Sequence, residues 1–468
     1  MRSDDLRGFL RVLEDRGLLH RVPVEVDWDT EIGTIQRRVA DKDGPALLFD
    51  RVRGSEWPVV SGVLGTPERY ALAMGCEPDH RSIIWHVKEA VKRPIAPVVV
   101  DEGVCQERVD TGAAIDLGKF PAPRWHELDG GRYIGTLGLV ITKDPDTGER
   151  NIGIYREQIM GRNTIALNAT QQVGTLWQKW RRKGKPMPLA TAIGVDPCTL
   201  AASCVHAPLG LDEFGISGAL RGRPLELVRC QTQDLEVPAT AEIVLEGEIP
   251  TDAPLVDEGP FGEFAGYYGV MTKSPLVTLT AATYRDRPIL QGALTGMPPT
   301  EDTTLRVMGH SAGDWYKLER MQIPGLKDYY ETDMGCANYM VVVSMSQQFY
   351  HGHAKQMIAA VWASIHIAKW VIVVDDDIDI YDRRQVEWAI STRVAPYRDI
   401  WVTPQNQPDT NLDPAIHPDD RMYPNMRGSR IGIDATVGFK GFEYPPMTTP
   451  SPESYALVDR RWHEYGLP

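Results

Sequence analysis

Thr136-Leu-Gly-Leu-Val-Ile-Thr142 and Asn151-Ile-Gly-Ile-Tyr-Arg-Glu-Gln-Ile-Met160, joined by KDPDTGER at residues 143–150, decide how the middle of this chain is read. Both segments are rich in apolar and β-branched residues and have the length of strands, and Pro145 and Gly148 fall where a hairpin turn needs them. Further strands are expected at Leu189–Val195, Leu225–Cys230, Ala241–Leu245, Leu276–Thr283 and Pro288–Leu294, with one helix at about Ala169–Arg182. Short strands joined by Gly/Pro turns suggest a barrel-like β domain carrying inserted helices.

Outward from this block the period changes. Toward the N-terminus, Ser3 can cap a helix whose Leu6, Phe9, Leu10 and Leu13 share one face, ending near Gly17. Leu47–Val52 reads as a strand and Ser82–Lys92 as a helix; the irregular stretch 95–130, with Pro97, Pro121 and Pro123, holds a domain boundary. Beyond about residue 305, Met340–Met345, His351–Ala368, Val371–Val374 and Arg383–Thr392 read as a β-α-β-α unit, followed from Pro404 by a Pro- and Gly-rich tail of the kind that wraps a neighbouring surface. The expectation is an α/β multi-domain chain divided at 1–115, 116–305 and 306–468.

With 468 residues, 42% hydrophobic and 24% charged, the chain has the composition of a folded multi-domain protein. Its 50 Lys and Arg against 64 Asp and Glu give a net charge of −14, a field that repels phosphodiester backbones and argues against nucleic acid as partner. Charges interrupt MRSDDLRGFLRVLEDRG where a signal peptide needs an apolar run, and no stretch offers the roughly 18 apolar residues of a membrane span, so a cytoplasmic location is expected. Cys76, Cys105, Cys198, Cys204, Cys230 and Cys336 are scattered without C-x-x-C spacing, which indicates reduced thiols.

The densest candidate site is Asp257-Glu258-Gly-Pro-Phe-Gly-Glu263-Phe-Ala-Gly-Tyr-Tyr-Gly269. Gly259, Pro260 and Gly262 can fold the segment back on itself. If Glu258 and Glu263 then share a desolvated pocket, repulsion and burial keep one of them protonated near neutrality, as a general acid requires; the alternative is a surface loop with two solvated glutamates. Asn151 and Arg156 form a second candidate. Five positions apart in a regular strand they face opposite sides, unless a bulge at Gly153 aligns them. An inward Arg156 would need carboxylate partners, which the glutamates could provide; an edge-strand arginine is the plainer use. A third candidate, Asp375-Asp376-Asp377 at the end of a buried strand, could hold Mg²⁺ for phosphoryl or nucleotidyl transfer, or could cap a helix. Gly352-His353-Ala-Lys355 opens a helix in a way that suits a phosphate. Trp177 and Trp180 suit core packing better than base stacking.

Taken together, NIGIYR, EGPFGEFAGYYG, LEVPATAEIVLEG, GHAK and VIVVDDDID resemble the UbiD family of reversible (de)carboxylases over nearly the whole chain. The resemblance implies an N-terminal α/β domain, a central split β-barrel that binds flavin, and a C-terminal α/β oligomerisation domain, assembled as a homodimer or as dimers of higher order. It implies prenylated FMN supplied by a partner flavin prenyltransferase, a divalent metal (Mn²⁺ or Mg²⁺) and K⁺ at the phosphate. Arg156, Glu258 and Glu263 match a Glu-Arg-Glu network, with Glu263 the proton donor and Glu258 orienting Arg156. Asn151 and Glu213 match metal ligands, while Ile154, Gln171, Gln172, Ser203, Cys204 and Lys355 fall at cofactor-contacting positions. Where many members carry a metal-binding His, this chain has Gln172: its amide oxygen, a water, or a weaker site would follow. His206, beside Ser203 and Cys204, either faces cofactor or substrate or is structural. The implied reaction is decarboxylation of an aromatic, heteroaromatic or α,β-unsaturated acid with release of CO₂; a Mg²⁺ transferase at Asp375–Asp377 and a non-catalytic flavin-binding protein are the rival readings.

Overall fold

Gly148, in the left-handed region at φ 76°, donates its N–H to Asp144 O (2.8 Å) and closes the turn expected at 143–150. The computed structural model describes residues 3–208, 210–365, 367–405, 407–408, 410–421 and 426–467, with the backbone alone for Gln171 and Pro408. Strands Leu139–Lys143 and Arg150–Ile154 pair across this turn in unbroken register, from Leu139 opposite Ile154 to Lys143 opposite Arg150.

These two strands end a larger antiparallel sheet. Its order is Tyr133–Gly135, Glu157–Ile159, Thr164–Leu167, Thr272–Tyr284, Ile243–Ile249, Met187–Ile193, Leu139–Lys143, Arg150–Ile154. Asn151–Met160 is therefore not one strand. It breaks after Ile154, there is no bulge at Gly153, and the chain crosses through Tyr155 and Arg156 from the last strand of the order to the second. The connection bridges the two ends of a nearly closed barrel, so Arg156 stands at the split. Gly153 fits this step because a Cβ there would lie 2.7 Å from the Tyr155 ring. The barrel interior is filled by Val140, Leu189, Ile193, Ile243, Leu245, Val277 and Leu279, all buried; fully burying one such side chain stabilises by about 1.5–3 kcal/mol.

The N-terminal sheet runs Leu19–Val26, Ala46–Val52, Val59–Ser61, Leu290–Gln291. Its last strand is the short core of the segment expected at Pro288–Leu294, and it joins this sheet in place of the barrel. Helix α1 (Leu6–Asp15) buries Leu6, Phe9, Leu10 and Leu13 as read, but Asp5 and not Ser3 caps it, accepting from Gly8 N at 2.7 Å. Helices α2 (Glu31–Ala40), α3 (Pro67–Met74) and α4 (His80–Lys92) complete this region.

Among the inserted helices, α5 (Gln171–Arg182), α6 (Pro197–Ser203) and α7 (Glu213–Arg221) pack beside the barrel, and α8 (Glu301–Arg320) leads out of it. The C-terminal sheet has the order Leu326–Glu331, Met340–Met345, Trp370–Asp375, Ile431–Ala435, Ile400–Val402, with the three central strands parallel. Helices α9 (His353–Ser364) and α10 (Arg383–Arg393) supply the β-α-β-α connections. In the tail, a helix forms at Pro452–Arg460 where no period was legible, and none of its residues is buried. No helix among the described residues is long and apolar enough to cross a membrane.

Candidate active site

Strand Leu255–Glu258 pairs Glu258 with Thr272, and Gly259 at φ 95° turns the chain into the hairpin Phe261–Gly262/Tyr268–Gly269. Two side chains hold this loop: Gln158 Oε1 accepts from Gly259 N (3.0 Å) and Asp129 Oδ1 from Gly262 N (3.0 Å). Glu258 ends the strand and Glu263 follows the first arm of the hairpin, so both project toward the barrel split. Arg156 lies between them. Its Nε donates to Glu258 Oε1 at 2.9 Å and its Nη2 to Oε2 at 2.6 Å, while Nη1 pairs with Glu263 Oε1.

The two glutamates are not equivalent. Glu258 also accepts from Tyr133 Oη (2.9 Å), Asn168 Nδ2 (3.1 Å) and Thr272 Oγ1 (3.1 Å), which satisfies both of its oxygens as a carboxylate. Glu263 has Arg156 Nη1 as its one side-chain partner among the described residues and is 8% exposed. Burial raises its pKa above the ordinary carboxyl value although Arg156 and Arg306 oppose the shift. The same two carboxylates hold Arg156 firmly protonated against the desolvation that works the other way. The sequence reading of an acid pair around an inward arginine is thus the arrangement found. What it missed are Tyr133, Asn168 and Thr272, and beside Glu263 the Arg306 guanidinium, which lies 4.7 Å from the Phe264 ring and donates to Asp302 at 2.9 Å.

On the other side of the split, Asn151 Nδ2 donates to Gln172 Oε1 (2.5 Å). Asn151 Oδ1 is buried with no partner, and so is Glu213 Oε2. Glu213 sits at the first turn of α7 with its pKa pushed up to about 8 by burial, offset in part by the backbone N–H groups of Glu213 and Ile152. The two orphaned oxygens, one amide and one carboxylate, together with the Gln172 amide oxygen form a donor set that a hard divalent cation would complete. Among the described residues no three His, Cys, Asp or Glu gather at one point, so such an ion would need oxygens from outside the protein as well.

The remaining candidates fall as follows. Ile154 is the half-buried last residue of its strand, Ser203 Oγ donates to Leu200 O (2.7 Å), and Cys204 follows α6 with its thiol pKa raised by burial to about 12. The Gln171 side chain lies outside the described residues. Lys355 is exposed in the C-terminal domain and donates to Arg398 O at 3.3 Å, apart from both clusters. His353 is buried under Tyr350 and accepts from Phe349 N. Asp375 and Asp377 are bound by Arg393 at 3.2 and 2.5 Å, Asp375 also accepts from Val437 N (2.7 Å), and Asp376 pairs with Lys327. These contacts give the aspartates structural work. Trp180 Nε1 donates to Lys143 O (2.9 Å), a packing role like that expected for it.

Sequence profiles of three domains match in chain order: the 3-octaprenyl-4-hydroxybenzoate carboxy-lyase N-terminal domain over residues 10–84, its Rift-related domain over 98–298 and its C-terminal domain over 304–435. The UbiD-class enzyme HmfF from Pelotomaculum thermopropionicum, solved in complex with FMN, is 34% identical over 97% of this chain and 99% of that one, with a TM-score of 0.82. The closed form of vanillic acid decarboxylase from Sedimentibacter hydroxybenzoicus is 28% identical and superposes at 0.91 over 100% of both chains. The apo 3,4-dihydroxybenzoic acid decarboxylase of Klebsiella pneumoniae is 28% identical over 97% of this chain and 99% of that one, at 0.82. The chain belongs to the UbiD family of prenylated-FMN-dependent decarboxylases.

Proposed function

We propose that this protein decarboxylates an aromatic, heteroaromatic or α,β-unsaturated carboxylic acid, with Arg156 holding the substrate carboxylate and Glu263 protonating the carbon that CO₂ leaves. The observation that carries the reading is the asymmetry around Arg156. Glu258 uses Nε and Nη2 and is saturated by three neutral donors, so it serves to fix the guanidinium. Glu263 meets only Nη1, and burial favours its protonated form. Once protonated it no longer needs that nitrogen, which becomes free for an incoming carboxylate. When CO₂ departs, the Glu263 proton moves to the carbon, and the new carboxylate regains Nη1. Water then restores the proton.

Prenylated FMN, when bound, supplies the electron sink that a vinylic or aryl carbanion lacks on its own. Support for that cofactor comes from the FMN complex of HmfF and from an evolved dimeric HmfF in complex with prFMN, 33% identical over 97% of this chain. Asn151, Gln172 and Glu213 would hold Mn²⁺ or Mg²⁺, which would neutralise the charge of the flavin phosphate, and K⁺ would serve as a second cation for it. A flavin prenyltransferase would supply the cofactor. The unburied helix Pro452–Arg460, presenting Tyr455, Leu457 and Val458 to solvent, supports a homodimer or an assembly of dimers in which the tail lies on a second copy.

The experiment is a CO₂-release screen. Protein co-expressed with a flavin prenyltransferase is challenged with aromatic, heteroaromatic and acrylic acids. Release from at least one class is expected; a folded, flavin-loaded protein that releases CO₂ from none of them contradicts the reading.

A further inference from the structure

Arg306 repeats, beside Glu263, the arrangement found at Arg156. Its Nε donates to both oxygens of Asp302, at 2.9 and 3.0 Å, one turn back on α8, as Arg156 is held from its Nε by Glu258. The rest of the fork is unused. Nη1 and Nη2 have no acceptor among the described residues, and 30% of the side chain is open to solvent although Leu305 and Val307 on either side of it are buried.

Contacts along the chain place this guanidinium at the acid loop. Thr295 Oγ1 donates to Gly262 O at 2.7 Å, which ties the segment leading into α8 to the residue before Glu263. Glu301 accepts from Gly62 N and Leu64 N, both at 2.7 Å, and so fixes the first turn of the helix. In the next turn the Arg306 guanidinium lies over the Phe264 ring, 4.7 Å from its centroid. Phe264 is buried, with the Tyr339 ring 5.4 Å away, and it directly follows Glu263 in the chain. Guanidinium and carboxyl are therefore neighbours, and each acts on the other. Arg306 draws the Glu263 pKa down against the burial that raises it; burial opposes the charge of Arg306, and Asp302 and Glu263 outweigh it.

Glu263 is not itself the partner of the free fork, because its Oε1 pairs with Arg156 Nη1 and no hydrogen bond joins it to Arg306. Two open Nη groups on one planar guanidinium match the two oxygens of a carboxylate, whereas a lone hydroxyl or carbonyl would leave one nitrogen unmet. We propose that Nη1 and Nη2 of Arg306 bind a second carboxylate of the substrate, so that the preferred substrate is an aromatic or heteroaromatic dicarboxylic acid that loses one carboxylate at Arg156 and keeps the other at Arg306. This rests on the decarboxylase reading and narrows its substrate class. Arg306 is a specificity residue, and Asp302 the positioning residue that holds its Nε.

The test pairs benzene-1,4-dicarboxylate with benzoate, and thiophene-2,5-dicarboxylate with thiophene-2-carboxylate. CO₂ release gives kcat/KM of the prenylated-FMN holoenzyme, and calorimetry gives binding to FMN-loaded protein. The native protein should prefer the dicarboxylate in at least one pair, and Arg306→Gln should lower that preference about 10- to 100-fold. Asp302→Asn keeps an acceptor for Nε and removes a negative charge, so it should hold or raise the preference; this variant carries the test if Arg306→Gln does not fold. Three results overturn the inference: a native protein without preference in either pair, an Arg306→Gln variant that loses both acids of a pair equally, or an Asp302→Asn variant that loses the preference. The equal loss would mark Arg306 as no more than a charge beside Glu263. If no acid releases CO₂ while a dicarboxylate still binds more tightly than its monoacid in an Arg306-dependent way, the decarboxylase reading falls and this one stands.

Discussion

Arg156 and Glu258 meet as a bidentate pair, with Nε 2.9 Å from Oε1 and Nη2 2.6 Å from Oε2, and no part of the carboxylate side chain is exposed. The pair fixes the plane of the guanidinium and leaves Nη1 pointing at Glu263. Glu258→Gln keeps the shape but loses the charge that anchors Arg156. It should lower kcat/KM about 100-fold or more while FMN affinity stays within about threefold. Steady-state CO₂ release and flavin titration check this, and an unimpaired variant would show that Glu258 does not orient the arginine.

The proposed cation site makes a separate prediction. Asn151 and Gln172 touch through their amides, so each can turn an oxygen toward an ion beside Glu213. Gln172→Leu should weaken Mn²⁺ binding to FMN-loaded protein on the order of tenfold, read by electron paramagnetic resonance of free Mn²⁺. Unchanged affinity would mean that water fills this position. Gln172→His should restore or tighten binding.

Glu157 lies within the barrel, fully buried, with Thr191 Oγ1 donating to one oxygen at 2.7 Å and the other oxygen unpartnered. Burial pushes its pKa to about 8. The folded protein therefore keeps a proton that the unfolded chain sheds above about pH 4.5, so stability falls as pH rises from there to about 8 and levels off beyond. Glu157→Gln removes this component. In denaturant titrations the variant should gain on the native protein by up to about 1.4 kcal/mol per pH unit across that window; a constant difference would contradict the assignment.

The tail helix predicts an assembly effect. Its nine residues, Pro452–Arg460, bury nothing against their own chain, and a helix that short has little stability without packing. Truncation after Pro450 should shift light-scattering mass toward the monomer at low micromolar concentration. A truncated protein with the mass and dissociation constant of the full chain would place the interface elsewhere.

Much of this was legible in the chain. The hairpin around Gly148, the acid pair at Glu258 and Glu263, and the β-α-β-α unit after residue 305 all follow from local turn chemistry and periodicity, which act over a few residues. The break between Ile154 and Glu157 was not legible, because the apolar pattern runs on through Tyr155 and Arg156; closure of a sheet whose partners are far apart in sequence decides it. Tyr133 and Asn168 escaped notice for the same reason: they reach Glu258 across 125 and 90 residues. The surroundings of His206 were hidden in the same way: its partner Asp314 lies 108 residues away, and two glycines of α8 admit its backbone.

The central claim is that Glu263 delivers the proton to the carbon that loses CO₂. The most direct measurement is turnover of Glu263→Gln, loaded with prenylated FMN, in D₂O with an acid that the native protein decarboxylates. The account predicts normal flavin binding, product formation reduced at least 1000-fold and, for the native protein, one deuterium at the former carboxylate carbon. A Glu263→Gln variant that forms deuterated product at the native rate would contradict it.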